Sequence, residues 1–174
     1  MSGHMTGNAR LPKANNRRLD RLLTERIHDP YFRRSKPQGT TCCPDCQVVL
    51  QAGRWQWMET VPADATPNLC PACQRIRDRV PAGCLTLKGA FFDQHREEIL
   101  NLVHNKVEQQ KTQHPLERLM DVETSEDGGA VITFTAVHLT RAVGDAIERA
   151  YMGKLDVQYA SGTNMLRVYW ERGQ

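Results

Sequence analysis

The apolar residues of this chain recur with a helical period in some stretches and a strand period in others, with polar or turn-forming residues between. Leu19, Leu22, Leu23 and Ile27 fall on one face of a helix over Arg17–His28, which Asn15 or Asn16 can cap and Asp29-Pro30 stops. Gln47–Leu50 and Arg54–Met58 flank Ala52-Gly53 and read as strand, tight turn, strand. The period of two puts Trp55 and Trp57 on one face of that hairpin. Residues 59–69 hold Pro62, Asp64, Pro67 and Asn68 and read as a loop. Pro71 suits the first position of a helix that Gln74–Asp78 continues and Pro81-Ala82-Gly83 ends. A further helix starts near Phe92 or Asp93, with Asp93 as its cap and Glu97 and Glu98 near its positive end. Ile99, Leu100, Val103 and Val107 form its stripe, and it stops before Pro115.

The last third has the clearest alternation. Leu119–Thr124 is a strand, Glu126–Gly129 a turn, and Ala130–Val137 a second strand rich in β-branched residues. Leu139–Met152 reads as a helix with Leu139, Val143, Ile147, Ala150 and Tyr151 on one face, ended by Gly153 in a left-handed conformation. Leu155–Ala160 and Met165–Trp170 are strands joined by a turn over Ser161–Asn164. The order β-β-α-β-β predicts two hairpins joined by a helix that covers one sheet face.

Chemistry enters with the cysteines. Two Cys-Pro-x-Cys pairs, Cys43/Cys46 and Cys70/Cys73, supply four thiolates at the spacing of a closed tetrahedral zinc site. Such a site is a scaffold, since no coordination position is left open for a substrate. Cys42 competes with Cys43 as a ligand; the Cys-Pro-x-Cys form favours Cys43. Knuckle, hairpin and a second pair at a helix start form the layout of a treble-clef, zinc-ribbon-like module. Cys84, before Leu85-Thr86-Leu87, reads as a small buried hydrophobe at a strand start. A redox dithiol needs one pair in a βαβ context, which is missing, and no signal-peptide pattern opens the chain to suggest secreted disulfides.

The α+β chain therefore divides into four parts. A basic, partly disordered arm with one amphipathic helix spans 1–40, the four-cysteine zinc module 41–90, a bridging helix 91–114 and the β-β-α-β-β two-layer domain 115–174.

Charge sharpens the picture. Residues 1–40 carry nine Lys/Arg against three Asp/Glu, a surplus of six, while residues 41–174 carry 14 against 17, a deficit of three. A basic arm on a mildly acidic body suits contact with phosphates, and it also suits a solvated tail. Tyr31–Pro37 interleaves aromatic and basic residues and either stacks on bases or latches the arm to the body. Trp55 and Trp57 either pack against the zinc-module helix or Phe91-Phe92, or stack on bases. No apolar run approaches the roughly 18 residues of a membrane span. Phosphate-loop, dinucleotide and nucleophile-elbow motifs are absent, so an enzyme is not expected. His138, at a strand-to-helix junction, reads as a capping or packing residue, and His95 and His104 as surface or packing histidines too far apart to share a metal.

Two resemblances follow from particular residues. His28-Asp29-Pro30-Tyr31, Gly53-Arg54-Trp55-Gln56-Trp57, Cys70-Pro71-Ala72-Cys73 with Arg75-Ile76, Pro81-Ala82-Gly83 and His114-Pro115-Leu116-Glu117-Arg118 resemble a family of short, uncharacterised proteobacterial zinc proteins. More distantly, residues 41–85 and 117–172 are similar to the adaptor family that binds the large (60S) ribosomal subunit for export in eukaryotes, and to its archaeal relatives. This chain has one set of four cysteines where the larger relatives have two. The resemblance implies a cytoplasmic, bacterial, non-catalytic zinc adaptor that binds structured RNA, ribosome-associated on the large subunit. Its candidate phosphate contacts are Arg10, Lys13, Arg17, Arg18, Arg21, Arg33, Arg34 and Lys36 on the arm, with Arg75, Arg77 and Arg79 on the zinc-module helix. The alternatives are a protein-docking adaptor whose arm binds an acidic partner, and a DNA-binding regulator.

Overall fold

The computed structural model describes residues 29–31, 39–159 and 165–174. The helix expected over Arg17–His28, the aromatic-basic segment beyond Tyr31 and the turn Ser161–Asn164 lie outside the described residues.

Two mixed sheets organise the chain. The smaller contains β1 (Thr41–Cys42), β2 (Val49–Gln51), β3 (Arg54–Gln56) and β4 (Thr66–Pro67), in the order β3-β2-β1-β4. The knuckle after Cys43 closes with Gln47 N–H on the Cys43 carbonyl at 2.9 Å and Cys43 N–H on the Val48 carbonyl at 2.9 Å. Gln47 takes a left-handed conformation there (φ 65°), so the strand begins two residues after it. Ala52 and Gly53 both have positive φ, 49° and 75°, the turn whose twist matches a two-residue hairpin. The expected loop 59–69 contains β4, which pairs in parallel with β1. Helix α1 (Pro71–Asp78) starts at Cys70, whose sulfur accepts the Cys73 N–H, and ends at Arg79 in a left-handed conformation.

The larger sheet comprises β5 (Gly83–Lys88), β6 (Leu119–Thr124), β7 (Ala130–Phe134), β8 (Lys154–Tyr159) and β9 (Leu166–Glu171), in the order β6-β7-β5-β9-β8. Both expected hairpins are present, but they do not meet each other. β5 lies between them, antiparallel to β7 and parallel to β9. This strand therefore belongs to the larger sheet, although along the chain it falls within the expected zinc module 41–90. Its Leu85 and Leu87 are fully buried, and its central position lets it pair along both edges, Gly83–Leu87 with β7 and Gly83–Lys88 with β9.

Helices α2 (Ala90–Gln94), α3 (Arg96–Gln113) and α4 (Val137–Tyr151) belong to the same domain. Ile99, Val103 and Val107 of α3 are buried in one core with Leu85, Phe134, Val143, Ile147, Val168 and Trp170. The helix expected as a bridge over 91–114 is therefore part of the helical layer, because its stripe is buried beside α4 in the core shared with the larger sheet. Asp93 lies inside α2 and caps nothing; the chain breaks at His95, which packs its ring on Phe91 at 4.2 Å. Gly83 marks the closest approach of sheet and helix: a Cβ there would lie 1.9 Å from Thr140 Oγ1.

Candidate metal centre

Both cysteine pairs are placed by local structure. The knuckle turns Cys43 and Cys46 inward, and the N-terminus of α1 presents Cys70 and Cys73. The four Sγ atoms lie within 4.8 Å of one another, and Cys46 and Cys70 are 3.7 Å apart. A tetrahedron with zinc–sulfur bonds near 2.3 Å has edges of about 3.8 Å. The group is thus compatible with a metal ion, and four sulfur donors suit a thiophilic one. Cys42 stays outside it, its Sγ 3.7 Å from both the Cys43 carbonyl and Gln47 Oε1.

Backbone dipoles reinforce the set. Cys70 N–H points at Cys43 Sγ and Cys73 N–H at Cys70 Sγ, each at 3.4 Å. Burial pushes the Cys43 thiol up, but the N–H groups of Cys70, Cys46 and Asp45 outweigh it and bring it down to about 7. Burial pushes the Cys70 thiol up and the Cys73 thiol up to about 11. Without a metal the cluster therefore holds protons, which an incoming cation must displace.

The residue that completes the surroundings comes from the second domain. Arg118 is 9 % exposed. Its Nη2 lies 3.1 Å from Cys46 Sγ and its Nη1 3.3 Å from Cys73 Sγ. Nε donates to the Pro115 carbonyl at 2.8 Å, and its backbone N–H to Thr135 Oγ1 at 2.8 Å. Desolvation disfavours the guanidinium charge, but the hydrogen bond to Cys46 and the neighbouring sulfurs of Cys46, Cys70 and Cys73 outweigh it and raise its pKa. Trp57 lies against this arginine, its ring centroid 5.5 Å from the guanidinium carbon, and donates Nε1–H to the Lys111 carbonyl at 2.8 Å. No spacing rule marks Arg118; the only sequence signal is its place in the His114–Arg118 motif.

The tryptophans separate. Trp55 is half-buried against the cysteine core, whereas Trp57 is 38 % exposed. Neither packs on Phe91-Phe92, which belong to the other core. Trp55, Trp57 and Arg54 line an open groove with His114, Gln113 and Glu117, of about 580 Å³.

The candidate phosphate contacts on α1 have different fates. Arg75 is buried, so it is withdrawn from that set. Its guanidinium pairs with Asp29, donates to the Val80 carbonyl at 3.1 Å and covers the Tyr31 ring at 4.4 Å. Its position on the buried face of α1, with Ala72 and Cys73, turns it inward, and Asp29 supplies the counter-charge. Arg77 is exposed and paired with Asp45 at 2.5 Å, and Arg79 is exposed. Arg10, Lys13, Arg17, Arg18, Arg21, Arg33, Arg34 and Lys36 lie outside the described residues. Cys84 is half-buried on the sheet face opposite the helices, where burial pushes its thiol up. His138 is exposed in the first turn of α4.

The fold and site define a class: an α+β chain carrying a four-cysteine cluster compatible with a metal ion. Comparison with protein-family models, curated proteins and solved structures yields no significant match, and no family is assigned to the chain. Among the described residues no helix is long and apolar enough to cross a membrane.

Proposed function

We propose that this chain is a non-catalytic zinc adaptor, with a treble-clef-like module, that binds structured RNA on the large ribosomal subunit in the bacterial cytoplasm. The observation that carries the reading is the six-charge surplus of residues 1–40, attached to a body that is mildly acidic. Asp29, within that arm, is held by Arg75 of α1. Asp29 and Tyr31 thus anchor on α1, the helix that also carries the exposed Arg77 and ends at the exposed Arg79. Four sulfurs fill a tetrahedral shell, which suits a scaffold rather than a reacting metal. The groove beside Trp57 and Arg54 adds an aromatic and cationic surface of the kind that stacks bases.

A protein-docking adaptor is the second reading. Ile76 and Val80, exposed by 38 % and 42 % on and just after α1, favour it. Reversing the charges at Arg17, Arg18, Arg33 and Arg34 separates the two, since the apolar stripe of the arm stays intact. RNA binding then weakens, and the salt slope falls by about 0.7–0.9 for each phosphate no longer engaged. Undiminished association of the charge-reversed chain with ribosomes or RNA overturns the RNA reading.

A further inference from the structure

We propose that Arg118 is the counter-cation of the metal centre and, through it, the latch that ties the metal module to the second domain. This rests on reading the four cysteines as a metal site. The key observation is a buried guanidinium with no carboxylate partner among the described residues. Its nearest polar neighbours are Cys46 Sγ, Cys73 Sγ and the Pro115 carbonyl, with Cys70 Sγ at 4.0 Å. Arginine stays charged in proteins, and a buried charge requires an anion. Neutral thiols provide none. Four thiolates around a divalent cation carry a net double negative charge, which the guanidinium halves.

The geometry distributes that charge across the whole site. One guanidinium nitrogen reaches Cys46, from the knuckle, and the other reaches Cys73, from α1. A planar fork spans two sulfurs that a lysine ammonium would serve only one at a time. The backbone that carries Arg118 is fastened to the larger sheet. Thr135, directly after β7, accepts the Arg118 N–H and donates its hydroxyl to the Leu116 carbonyl at 2.6 Å. Leu116 packs on the cysteine core, and Trp57 closes the far side onto the end of α3. Attraction between the thiolate centre and Arg118 therefore acts across the boundary between the domains.

N–H donors draw electron density from thiolate sulfur, which slows proton attack on the sulfur and loss of the ion. Outer-sphere partners of this kind typically govern about 10–100-fold in metal affinity. The full chain, loaded with zinc, is mixed with excess chromophoric chelator, and zinc transfer is timed for the wild type and for Arg118→Met. A faster release from Arg118→Met, by about 10–100-fold, is expected. In the cobalt-loaded proteins the sulfur-to-cobalt charge-transfer band moves to lower energy in the variant, a change that a purely packing role would not produce. Release at the wild-type rate with an unmoved cobalt band overturns the proposal. Should Arg118→Met not fold, Arg118→Gln carries the test: neutral, with an amide donor, it releases zinc faster than wild type, and an equal rate overturns the proposal. Stripping the metal from wild type also raises amide exchange across 114–118, and unchanged exchange there removes the latch. A wild type that binds neither zinc nor cobalt stoichiometrically refutes the metal reading itself. One bound ion with indifferent variants refutes Arg118 alone.

Discussion

Cys70→Ser is the sharpest perturbation of this fold, because serine preserves one of the two jobs of Cys70. The sulfur caps α1 by accepting the Cys73 N–H, and a serine hydroxyl is a good N-cap. The substitution therefore removes one of the four clustered sulfurs while keeping the start of the helix. Beyond its cysteines and Ala72, the metal module fully buries only Val48, Val49 and Leu50 as larger apolar side chains. Together they contribute roughly 5–9 kcal/mol at about 1.5–3 kcal/mol each. Structural zinc contributes about 10–16 kcal/mol in small modules. An ion held there would thus outweigh the apolar core around it, and residues 41–82 are expected to unfold when one of its four sulfurs is lost. The second domain has a separate core in which Leu85, Leu87, Phe92, Ile99, Phe134, Ile147 and Trp170 are all essentially inaccessible to solvent. It should remain folded. Hydrogen exchange read by mass spectrometry resolves the two regions. Fast exchange confined to 41–82, with β5 to β9 still protected, is the expected pattern. Retained protection in 41–82 without metal, or collapse of the whole chain, would refute the reasoning.

Three further predictions concern other parts of the molecule. Gly83→Ala forces a Cβ to within 2.6 Å of Thr140 Cβ and should cost about 1–3 kcal/mol or more in chemical denaturation; an unchanged midpoint contradicts the close approach of α4 to β5. Asp29→Ala leaves the buried Arg75 without its carboxylate and should cost about 1–3 kcal/mol, moderated because the Val80 carbonyl and Tyr31 ring remain; wild-type stability in the same assay would show that Asp29 contributes nothing. Metal affinity should fall as pH falls. Cys70 and Cys73, pushed up by burial, are protonated at neutral pH without metal, so binding expels their protons and acid opposes it, by up to about tenfold per pH unit for each proton displaced. Calorimetry in buffers of different ionisation enthalpy measures that release, and a pH-independent affinity would exclude it.

The four-cysteine cluster is legible in the linear chain because a two-residue gap determines how two sulfurs lie relative to each other, whatever surrounds them. The same holds for the hairpin at Ala52-Gly53, for Pro71 opening α1, and for the alternation that marks β7 and β9. Each depends on backbone preferences and side-chain periods that span a few residues. The place of β5 is not legible: Leu85-Thr86-Leu87 announces a strand but not its neighbours, and both of its partners, β7 and β9, follow it by more than forty residues.

The arginines show the same division. Arg75, Arg77 and Arg118 look alike in a sequence, as exposed cations available to a phosphate. In the fold Arg75 turns inward to Asp29, Arg77 pairs at the surface with Asp45, and Arg118 joins the cysteine cluster 45 residues from Cys73. Local spacing determined what could hold a metal. Only the tertiary structure decided which charges face one another, because a buried cation is stabilised by whichever anion the packed chain brings within hydrogen-bonding distance, and that distance is independent of separation along the sequence.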